Sequence, residues 1–517
     1  MYKSNRRRLN KKSKSLQDQT DNSLEQDKDV SNDIDKNLQY IREQLGTNSD
    51  LIVRQIPLFT ADSSSGYIVY LKSCVDNDSL HRSLLIPLTK PFEELDLEGI
   101  LKHIPLSQIE QITDLNKSVD EICKGKVLFL IENVSHGFLF VIMNTMQRAL
   151  EESTTEKPLH GIKESFNENI DTNIFLIRRR LQDPKLTVEE KVVGRRTKTR
   201  VAILYIKDIV NDSILEELKN RIEKIDIDGL TSSGILEQFI EDSPFSIFPQ
   251  IQNTDRPERV VQSILEGRIC LICNGTSFVL LLPAVFSHFL SATEDYTERT
   301  LVGSFNRLLR YASIFVIITL PSIYIALTSF HPELIPFNLI IPLAESRKEI
   351  PFPPLVEAFL LEILVEFMRE MGVRVPQPIG NTLGVVGGIV LGDAAIRASL
   401  VSPTMVIIVG ATTIISFAIP NFSMILALRL LRFFVMIMAG LFGAYGITIS
   451  WIFILTHLIR LESFSIPYLS PFAPMRSGDI KDTFFRTFLW KMKYRPQFAH
   501  NKDSKRQTDN RKGARDE

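Results

Sequence analysis

Acidic residues interrupt an otherwise apolar segment between positions 352 and 372. The charged residues of this segment are Glu357, Glu362, Glu366, Arg369 and Glu370. On a helix of about 100° per residue, the last four cluster on one side, whereas Glu357 falls in the middle of the apolar side. Carboxylates that face water inside a membrane are groups from which cation pathways are built. If these side chains do chemistry, their types favour ion passage over bond-making chemistry.

Two placements of this helix relative to a membrane fit the pattern. It could lie at a membrane interface with a solvated charged face. Alternatively, it could enter the membrane zone and present its carboxylates to water. Glu357 distinguishes the two positions, because an ionised carboxylate that faces lipid is unstable and must find water or a partner.

A second pair of charges lies in the next apolar run. Asp393 and Arg397 are four residues apart, so on a helix they share a face and can pair with each other. Either charge would cost about 2.5–3.5 kcal/mol if it stood unpaired at the membrane centre. A structural pair near a helix end is one interpretation, and a role in ion passage is the other. The candidate pore-facing carboxylates are Glu357, Glu362, Glu366 and Asp393.

Long apolar runs must position these groups. The runs cover residues 311–330, 383–401, 405–419 and 433–455. The first is uncharged over about twenty positions, the length that crosses a bilayer core of roughly 30 Å as a helix. Ser402-Pro403 separates the two middle runs, which predicts two helices joined by a tight break. The sequence therefore predicts an integral membrane protein.

The number of crossings stays open between four and five. Four crossings return the basic tail, with Lys491, Lys493 and Arg495, to the side of the N-terminal part but leave Arg429 and Arg432 on the other side. A fifth crossing by the Glu-rich helix 352–372 reverses both placements.

Glycines recur every four residues just before the Asp393 region. They are Gly380, Gly384, Gly388 and Gly392. This spacing places them on one helix face, where small residues let helices approach closely. The pattern predicts a helix-packing face whose partner lies in the same chain or in another.

Composition excludes several classes of protein. The 517 residues contain 60 Lys plus Arg and 61 Asp plus Glu, so no excess of positive charge indicates nucleic-acid binding. The four cysteines are too few for a secreted disulfide framework, and Cys270 and Cys273 lie in a strand-like run without a second pair. No phosphate loop, Rossmann glycine pattern or HExxH motif occurs. We therefore predict no catalytic residues, no metal site and no cofactor.

The part before residue 300 resembles a duplicated α/β domain. Short apolar strand-like runs alternate with charged helical ones, and residues 67–80 resemble 201–215 as 125–143 resemble 267–283. No signal peptide is evident, so we expect this part in the cytoplasm. The predicted domains are a disordered charged tail (1–47), two related α/β lobes (48–155 and 156–305), a helical transmembrane domain (306–460) and a partly disordered polar C-terminal extension (461–517).

The join between the lobes is dense in charge. Residues 177–181 and 194–200 place many cations in a short span, and acidic residues stand close enough to neutralise them. Aromatic residues are not interleaved, as they are in single-strand nucleic-acid sites. Internal ion pairs or a subunit contact are therefore the favoured interpretation over phosphate binding.

Many short motifs between about residues 48 and 475 resemble one family, the A subunits of the GerA-type spore germinant receptors of endospore-forming bacteria. The motifs include NIFLIRRRLQDPKL, EDSPFSIFPQ, LEGRICLICNGTSFVLLLP, PFPPLVEAFLLEILVEFMREMGVRVPQPIG and GVVGGIVLGDAAIRASLVSP. The sequence departs from the family at residues 159–166, where an Arg-Gly-Pro-Arg-like segment is more usual.

The resemblance implies a receptor subunit in the spore inner membrane. It implies a transporter-like B subunit that senses nutrients, a lipoprotein C subunit, a homo-oligomer of A subunits, and contact with membrane lipid. The A subunit would form, or help to form, an ion-conducting path. A non-conducting scaffold that couples the nutrient-sensing partner to other membrane channels is the alternative.

Overall fold

The computed structural model of the chain describes residues 29–58, 65–88, 104, 109–142, 164–374, 387–499 and 501–507. Gly380 and Gly384, residues 1–28 of the predicted tail and residues 508–517 lie outside the described residues. So does most of the segment 159–166, where the sequence departs from the family pattern.

The first lobe is a five-stranded antiparallel sheet with helices. Its strands are β1 (Leu51–Pro57), β2 (Ser65–Leu71), β3 (Ile109–Ile112), β4 (Lys126–Ile131) and β5 (Gly137–Val141). Its helices are α1 (Ile34–Leu45), α2 (Leu115–Cys123) and a run of short turns through Asn77–Leu80, His81–Leu85 and Ile86–Leu88. The strand order is β1-β2-β4-β5-β3.

Helix α1 corrects the last part of the predicted disordered tail, because residues 34–45 of the predicted range 1–47 are helical. Asp33 caps its first turn, accepting a hydrogen bond from the backbone N–H of Asp35 at 3.2 Å. Ile41 and Leu45 on its apolar face are buried in the core of the first lobe. Burial of this face stabilises the helix although the surrounding tail sequence is polar.

The second lobe repeats this architecture. Its strands are β6 (Leu186–Val193), β7 (Thr199–Ile206), β8 (Gln252–Thr254), β9 (Ile269–Cys273) and β10 (Val279–Leu282). Its helices are α3 (Ile170–Arg180), α4 (Asp212–Glu223), α5 (Ser233–Ile240) and α6 (Pro257–Leu265). The order β6-β7-β9-β10-β8 equals that of the first lobe, as the repeated segments predict.

Ion pairs fill the charge-dense join between the lobes, as predicted. Arg178 on α3 contacts Asp50, just before β1, through two hydrogen bonds of 2.8 and 3.0 Å. Arg200 on β7 pairs with Asp171 at 3.0 Å and with Glu190 at 2.8 Å. The Arg178 contact connects the two lobes, because α3 belongs to the second lobe whereas Asp50 precedes the first strand of the first lobe.

Apolar helices follow the lobes. They are α7 (Thr300–Ser329), α8 (Phe337–Arg347), α9 (Pro354–Arg374), α10 (Gly392–Arg397), α11 (Pro403–Ser416), α12 (Phe422–Phe442) and α13 (Ala444–Arg460). Among the described residues, α7 and α12 have the length and apolar composition to cross a membrane. Two shorter apolar helices, α11 and α13, accompany them.

Two predicted membrane runs differ from these helices. The run 433–455 is not one helix, because Gly443 has φ +60 and ends α12 before α13 begins. Of the run 383–401, the described part contains only a π-helical turn (Gly387–Leu391) and the six-residue α10. The break at Ser402-Pro403 is confirmed: Ser402 is the N-cap of α11 and Pro403 its first residue.

The C-terminal extension folds back onto the second lobe. It contains the small hairpin β11 (Glu462–Ser463) and β12 (Ile466–Pro467). Phe464, Ile466 and Phe498 are buried in the same hydrophobic core as β7 and β9. Further along, the Asn501 amide donates to the backbone carbonyl of Glu266 at 2.7 Å.

Candidate functional site

Glu357 lies in the first turn of α9 and connects three elements. Its carboxylate is fully buried, and Oε2 is 2.8 Å from Nη1 of Arg347 at the end of α8. Oε1 accepts a hydrogen bond of 2.6 Å from the backbone N–H of Ser402 and a second from the Ser402 hydroxyl. Because Ser402 caps α11, the carboxylate also faces the positive end of a helix dipole. Glu357 therefore has a partner inside the chain rather than water.

Glu362 lies between α9 and α12. Its side chain is fully buried, and Oε2 is 2.5 Å from Nη2 of Arg432, which is also buried. Neither carboxylate oxygen makes an aligned hydrogen bond within the described structure. Arg432 places Nη1 3.2 Å from the Thr412 hydroxyl of α11. The pair is therefore held mainly by charge attraction in a region of low dielectric constant.

Glu366 lies one turn further along α9 and is more open. Its side chain is 32% exposed and contacts Arg429 of α12 at 3.0 Å and Arg369 of its own helix at 3.1 Å. Glu362 and Glu366 are one helical turn apart on α9, and their partners Arg432 and Arg429 are one turn apart on the facing α12. We call the three carboxylates Glu357, Glu362 and Glu366, with their arginine partners Arg347, Arg432 and Arg429, the charge ladder.

Asp393 does not belong to the charge ladder. It pairs with Arg397 at 2.8 Å, and both side chains are mostly exposed. This contact is the pairing that their spacing predicts, whereas a role of Asp393 in ion passage stays a prediction. The four carboxylates proposed from the sequence therefore divide into three that lie between helices and one on the surface of α10.

The expectation that Glu357 and Glu362 face water is wrong for the single chain. Both are buried, because an arginine from another helix reaches each of them. Of the predicted glycine face, Gly388 and Gly392 belong to the described residues, and the helix-packing role stays a prediction. A methyl group added at Gly388 or Gly392 would meet no atom within 4 Å among the described residues, so neither packs against a described helix, and a partner in another chain stays a prediction.

Sequence reasoning missed the partners of the carboxylates. Arg429 and Arg432 entered it only as markers of membrane sidedness, and Arg347 not at all. A signal was present, because two arginines inside an apolar helix require partners and α9 offers carboxylates at a matching spacing. Close helix contacts were missed too: a methyl group at Gly440 of α12 would lie 2.5 Å from the Leu355 side chain of α9.

The chemistry that the site presents is charge pairing between helices. In the described parts of the chain, no group of three or more His, Cys, Asp or Glu could hold a metal ion. What the charge ladder offers chemically is a set of opposed charges whose pairing depends on how α8, α9, α11 and α12 pack.

Comparison with known proteins identifies relatives over most of the chain. The sequence model of the family "GerA: Bacillus/Clostridium GerA spore germination protein" matches residues 39–498. Spore germination protein KA of Bacillus subtilis (strain 168) is 37% identical over 482 residues, which are 92% of this chain and 89% of the relative. Spore germination protein GerLA of Bacillus cereus is 34% identical over 473 residues, 90% of this chain and 96% of the relative.

Further matches include a membrane protein and a solved domain. The uncharacterized membrane protein YfkQ of Bacillus subtilis (strain 168) is 37% identical over 492 residues, 94% of this chain and 95% of its own length. The crystal structure of the N-terminal domain of the A subunit of the Bacillus megaterium spore germinant receptor GerK3 is 29% identical, with a TM-score of 0.38. It covers 50% of this chain and 97% of that domain. From the extent of the family match and the identity to full-length relatives, the chain belongs to the GerA family of spore germination proteins.

Proposed function

We propose that this chain is the A subunit of a nutrient germinant receptor in the spore inner membrane. It acts with a transporter-like B subunit and a lipoprotein C subunit, and its lobes lie on the cytoplasmic side. On nutrient sensing, an oligomer of A subunits forms or gates an ion-conducting path, and ion release starts germination.

The charge ladder is the observation that carries the ion-path proposal. Three carboxylates and three arginines lie between helices of an apolar region, where unpaired charges are costly. The Glu362 and Arg432 charges attract each other without aligned hydrogen bonds, so a shift of α9 against α12 breaks few directional contacts. Such a shift frees carboxylates to meet a cation, which gives the path a closed and an open state.

The outer surface of α9 supports placement in a membrane or against further copies. Leu360, Ile363 and Phe367 are exposed large apolar side chains on this helix, and Leu430 and Leu441 are exposed on α12. Exposed apolar surface of this kind needs lipid or a protein partner.

A non-conducting scaffold is the second candidate function. Two buried ion pairs favour the scaffold, because Glu357 and Glu362 each already have an arginine partner and a structural role. On this alternative, the lobes transmit the signal to other membrane channels, and the charge ladder only holds the helices together.

Potassium release from spores separates the two functions. The decisive variant removes both charges of one pair, Glu362→Gln with Arg432→Gln, in spores that contain no other receptor. Removing both charges avoids leaving one buried and unpaired, which would cost about 3–5 kcal/mol and prevent assembly. Release is measured after addition of a mixture of L-amino acids, inosine and glucose, and receptor level is measured by immunoblot.

The ion-path proposal predicts normal receptor level with release at least ten-fold slower or with changed ion preference. The matched control is Glu370→Gln with Arg374→Gln, an exposed pair at 2.6 Å on the same helix, for which we expect normal release. Normal potassium release by the Glu362 and Arg432 double variant at normal receptor level would contradict the ion-path proposal and favour the scaffold.

A further inference from the structure

A cavity lies between the second lobe, the first turns of α7 and the C-terminal extension. Its volume is about 610 Å³. One wall is the face of α6 and the turn after it, with Arg259, Ser263 and Arg268. The extension between residues 478 and 498 covers the other side. No member of the charge ladder lines this cavity, so it is a separate feature of the molecule.

Arg268 is a buried cation in the cavity wall with neutral hydrogen-bond partners. Its guanidinium donates to four oxygens, those of the Pro283 carbonyl (2.9 Å), the Leu281 carbonyl (3.1 Å), the Gln252 amide (2.8 Å) and the Ser263 hydroxyl (3.2 Å). None of them carries a charge. Burial accordingly lowers the pKa of Arg268 to about 9. Only neutral groups accept hydrogen bonds from this buried cation, and Glu266 attracts it without a hydrogen bond, so an anion in the cavity would supply a direct counter-charge.

Two further groups line the cavity beside Arg268, namely His288 and Arg307. Burial, with the charges of Arg268 and Arg259, holds the pKa of His288 well below its ordinary value, so the imidazole stays neutral. Arg307 of α7 also lines the cavity, and its buried Nη2 has no hydrogen-bond partner within the described residues. An unused buried donor beside a cavity indicates that an acceptor belongs there.

Three carboxylates, those of Glu266, Asp479 and Asp482, line the cavity against seven basic side chains, so its wall has an excess of positive charge. Arg307 is paired in part, since its Nε lies 3.0 Å from Oδ2 of Asp295 and its Nη1 lies 3.5 Å from Oδ1 of Asp482. Asp482 accepts hydrogen bonds from the Tyr296 hydroxyl at 2.6 Å and from the Thr487 backbone at 2.9 Å. Asp479 accepts one from the Gln497 backbone at 2.9 Å. Burial raises the pKa of Glu266, which weakens it as a counter-charge.

The covering segment carries residue types of a membrane interface. Trp490, Lys491 and Tyr494 line the cavity, and the Lys491 ammonium lies 5.0 Å from the centre of the Trp490 ring. Tyr311, where the apolar run of α7 begins, lines it as well. Aromatic and basic residues at the start of a membrane helix bind the headgroup region of anionic lipids.

We propose that this cavity binds the phosphate of an anionic phospholipid headgroup or of a soluble phosphate ester, held by Arg268, Arg307 and Lys491. The phospholipid source rests on the membrane placement under the proposed function, whereas the binding of phosphate does not. Occupancy neutralises the buried cation and fixes the C-terminal extension against the second lobe and α7.

Tryptophan fluorescence tests the proposal. Trp451 and Trp490 are the two tryptophans of the chain, so Trp451→Phe leaves Trp490 as a reporter in the cavity. The full chain in dodecyl maltoside, in phosphate-free buffer, is titrated with dioctanoyl phosphatidylglycerol, glycerol 1-phosphate and dioctanoylglycerol. Saturable change with phosphatidylglycerol alone identifies a lipid site, and change with glycerol 1-phosphate as well identifies a site for soluble phosphate. Response to none of the three, or an equal response to dioctanoylglycerol, overturns the proposal.

Variants assign the binding to the named residues. Arg268→Gln should weaken binding of the phosphate probe at least ten-fold. Lys491 is exposed, so Lys491→Gln should leave the fold intact and weaken binding several-fold. Lys224→Gln, an exposed lysine on the second lobe away from the cavity, should change nothing. If Arg268→Gln does not fold, Lys491→Gln still decides: affinity equal to that of Lys224→Gln contradicts the proposal.

Discussion

Replacing Asp50 by asparagine should open the contact between the lobes while leaving the second lobe folded. Asp50 forms a two-point contact with Arg178, Nε to Oδ2 at 2.8 Å and Nη2 to Oδ1 at 3.0 Å. Both side chains are buried, and the Ser73 hydroxyl donates a further hydrogen bond of 2.9 Å to Oδ2. Asparagine keeps the shape of the side chain but removes its charge. The Arg178 guanidinium then remains buried without a counter-charge.

The cost follows from the burial of the pair. Breaking a buried ion pair by removing one partner costs about 3–5 kcal/mol. Since about 1.4 kcal/mol corresponds to a factor of ten, the equilibrium constant for local opening around Asp50 should rise by about 100-fold to several thousand-fold. An exposed pair should behave differently: for Lys185 and Asp208, at 2.8 Å, the loss is about 0–1 kcal/mol.

The four cysteines provide the assay, because all are free and buried. Cys74 and Cys123 lie in the core of the first lobe near the Arg178 charge, and burial raises the pKa of the Cys74 thiol to about 11. Cys270 and Cys273 lie in the second lobe and serve as an internal reference. Maleimide labelling of the full chain, resolved by peptide mass spectrometry, should accelerate at the first two thiols only.

Two variants control this experiment. Asp208→Asn removes the exposed pair and should leave all four labelling rates unchanged. Asp50→Leu with Arg178→Met replaces the buried pair by apolar groups and should restore most of the protection of Cys74. The reasoning is refuted if Asp50→Asn leaves Cys74 protected, or if Cys270 is labelled faster to the same extent.

Two further predictions concern the second lobe and the helices. Burial, and to a lesser extent the charge of Glu241, raises the pKa of Glu237 from 4.5 to about 7. The contribution of protonated Glu237 to the free energy of unfolding is therefore complete below about pH 4.5 and is lost as the pH rises through 7. Glu237→Gln should flatten the pH dependence of the melting temperature between pH 5 and 8, and an unchanged slope would contradict this assignment. A methyl group at Gly446 would overlap the Met438 carbonyl oxygen, so Gly446→Ala should lower the melting temperature of the purified full chain. Gly410 has open space around it, so Gly410→Ala should leave the melting temperature unchanged. Equal melting temperatures of the two variants would refute the close contact at Gly446.

The architecture of the lobes could be predicted from the sequence, because each lobe repeats the same local signals. Strand-like runs lead into Asn-Asp-Ser segments that begin helices, and Asn211 indeed caps α4. Helix α1 could have been predicted as well. Ile34, Leu38, Ile41 and Leu45 recur at helical spacing after the capping residue Asp33, but the low apolar content of residues 1–47 as a whole concealed them.

The carboxylates of the charge ladder could be predicted from the sequence, but their arginine partners could not. Apolar context shows that Glu357, Glu362 and Glu366 need partners, but which arginine meets which carboxylate depends on how the helices pack. The break at Gly443 was hidden for another reason. Hydropathy measures composition, whereas the end of α12 depends on a positive φ that glycine adopts at low cost.

The return of the C-terminal extension to the second lobe restricts the path of the chain through a membrane. Phe464 and Phe498 share a hydrophobic core with strands that precede α7. A bilayer cannot separate two segments that are packed in one core. Whichever helices between residues 300 and 460 enter the bilayer, the number of crossings must therefore be even. An even number is compatible with four crossings and not with five, and it places the lobes and the C-terminus in one compartment.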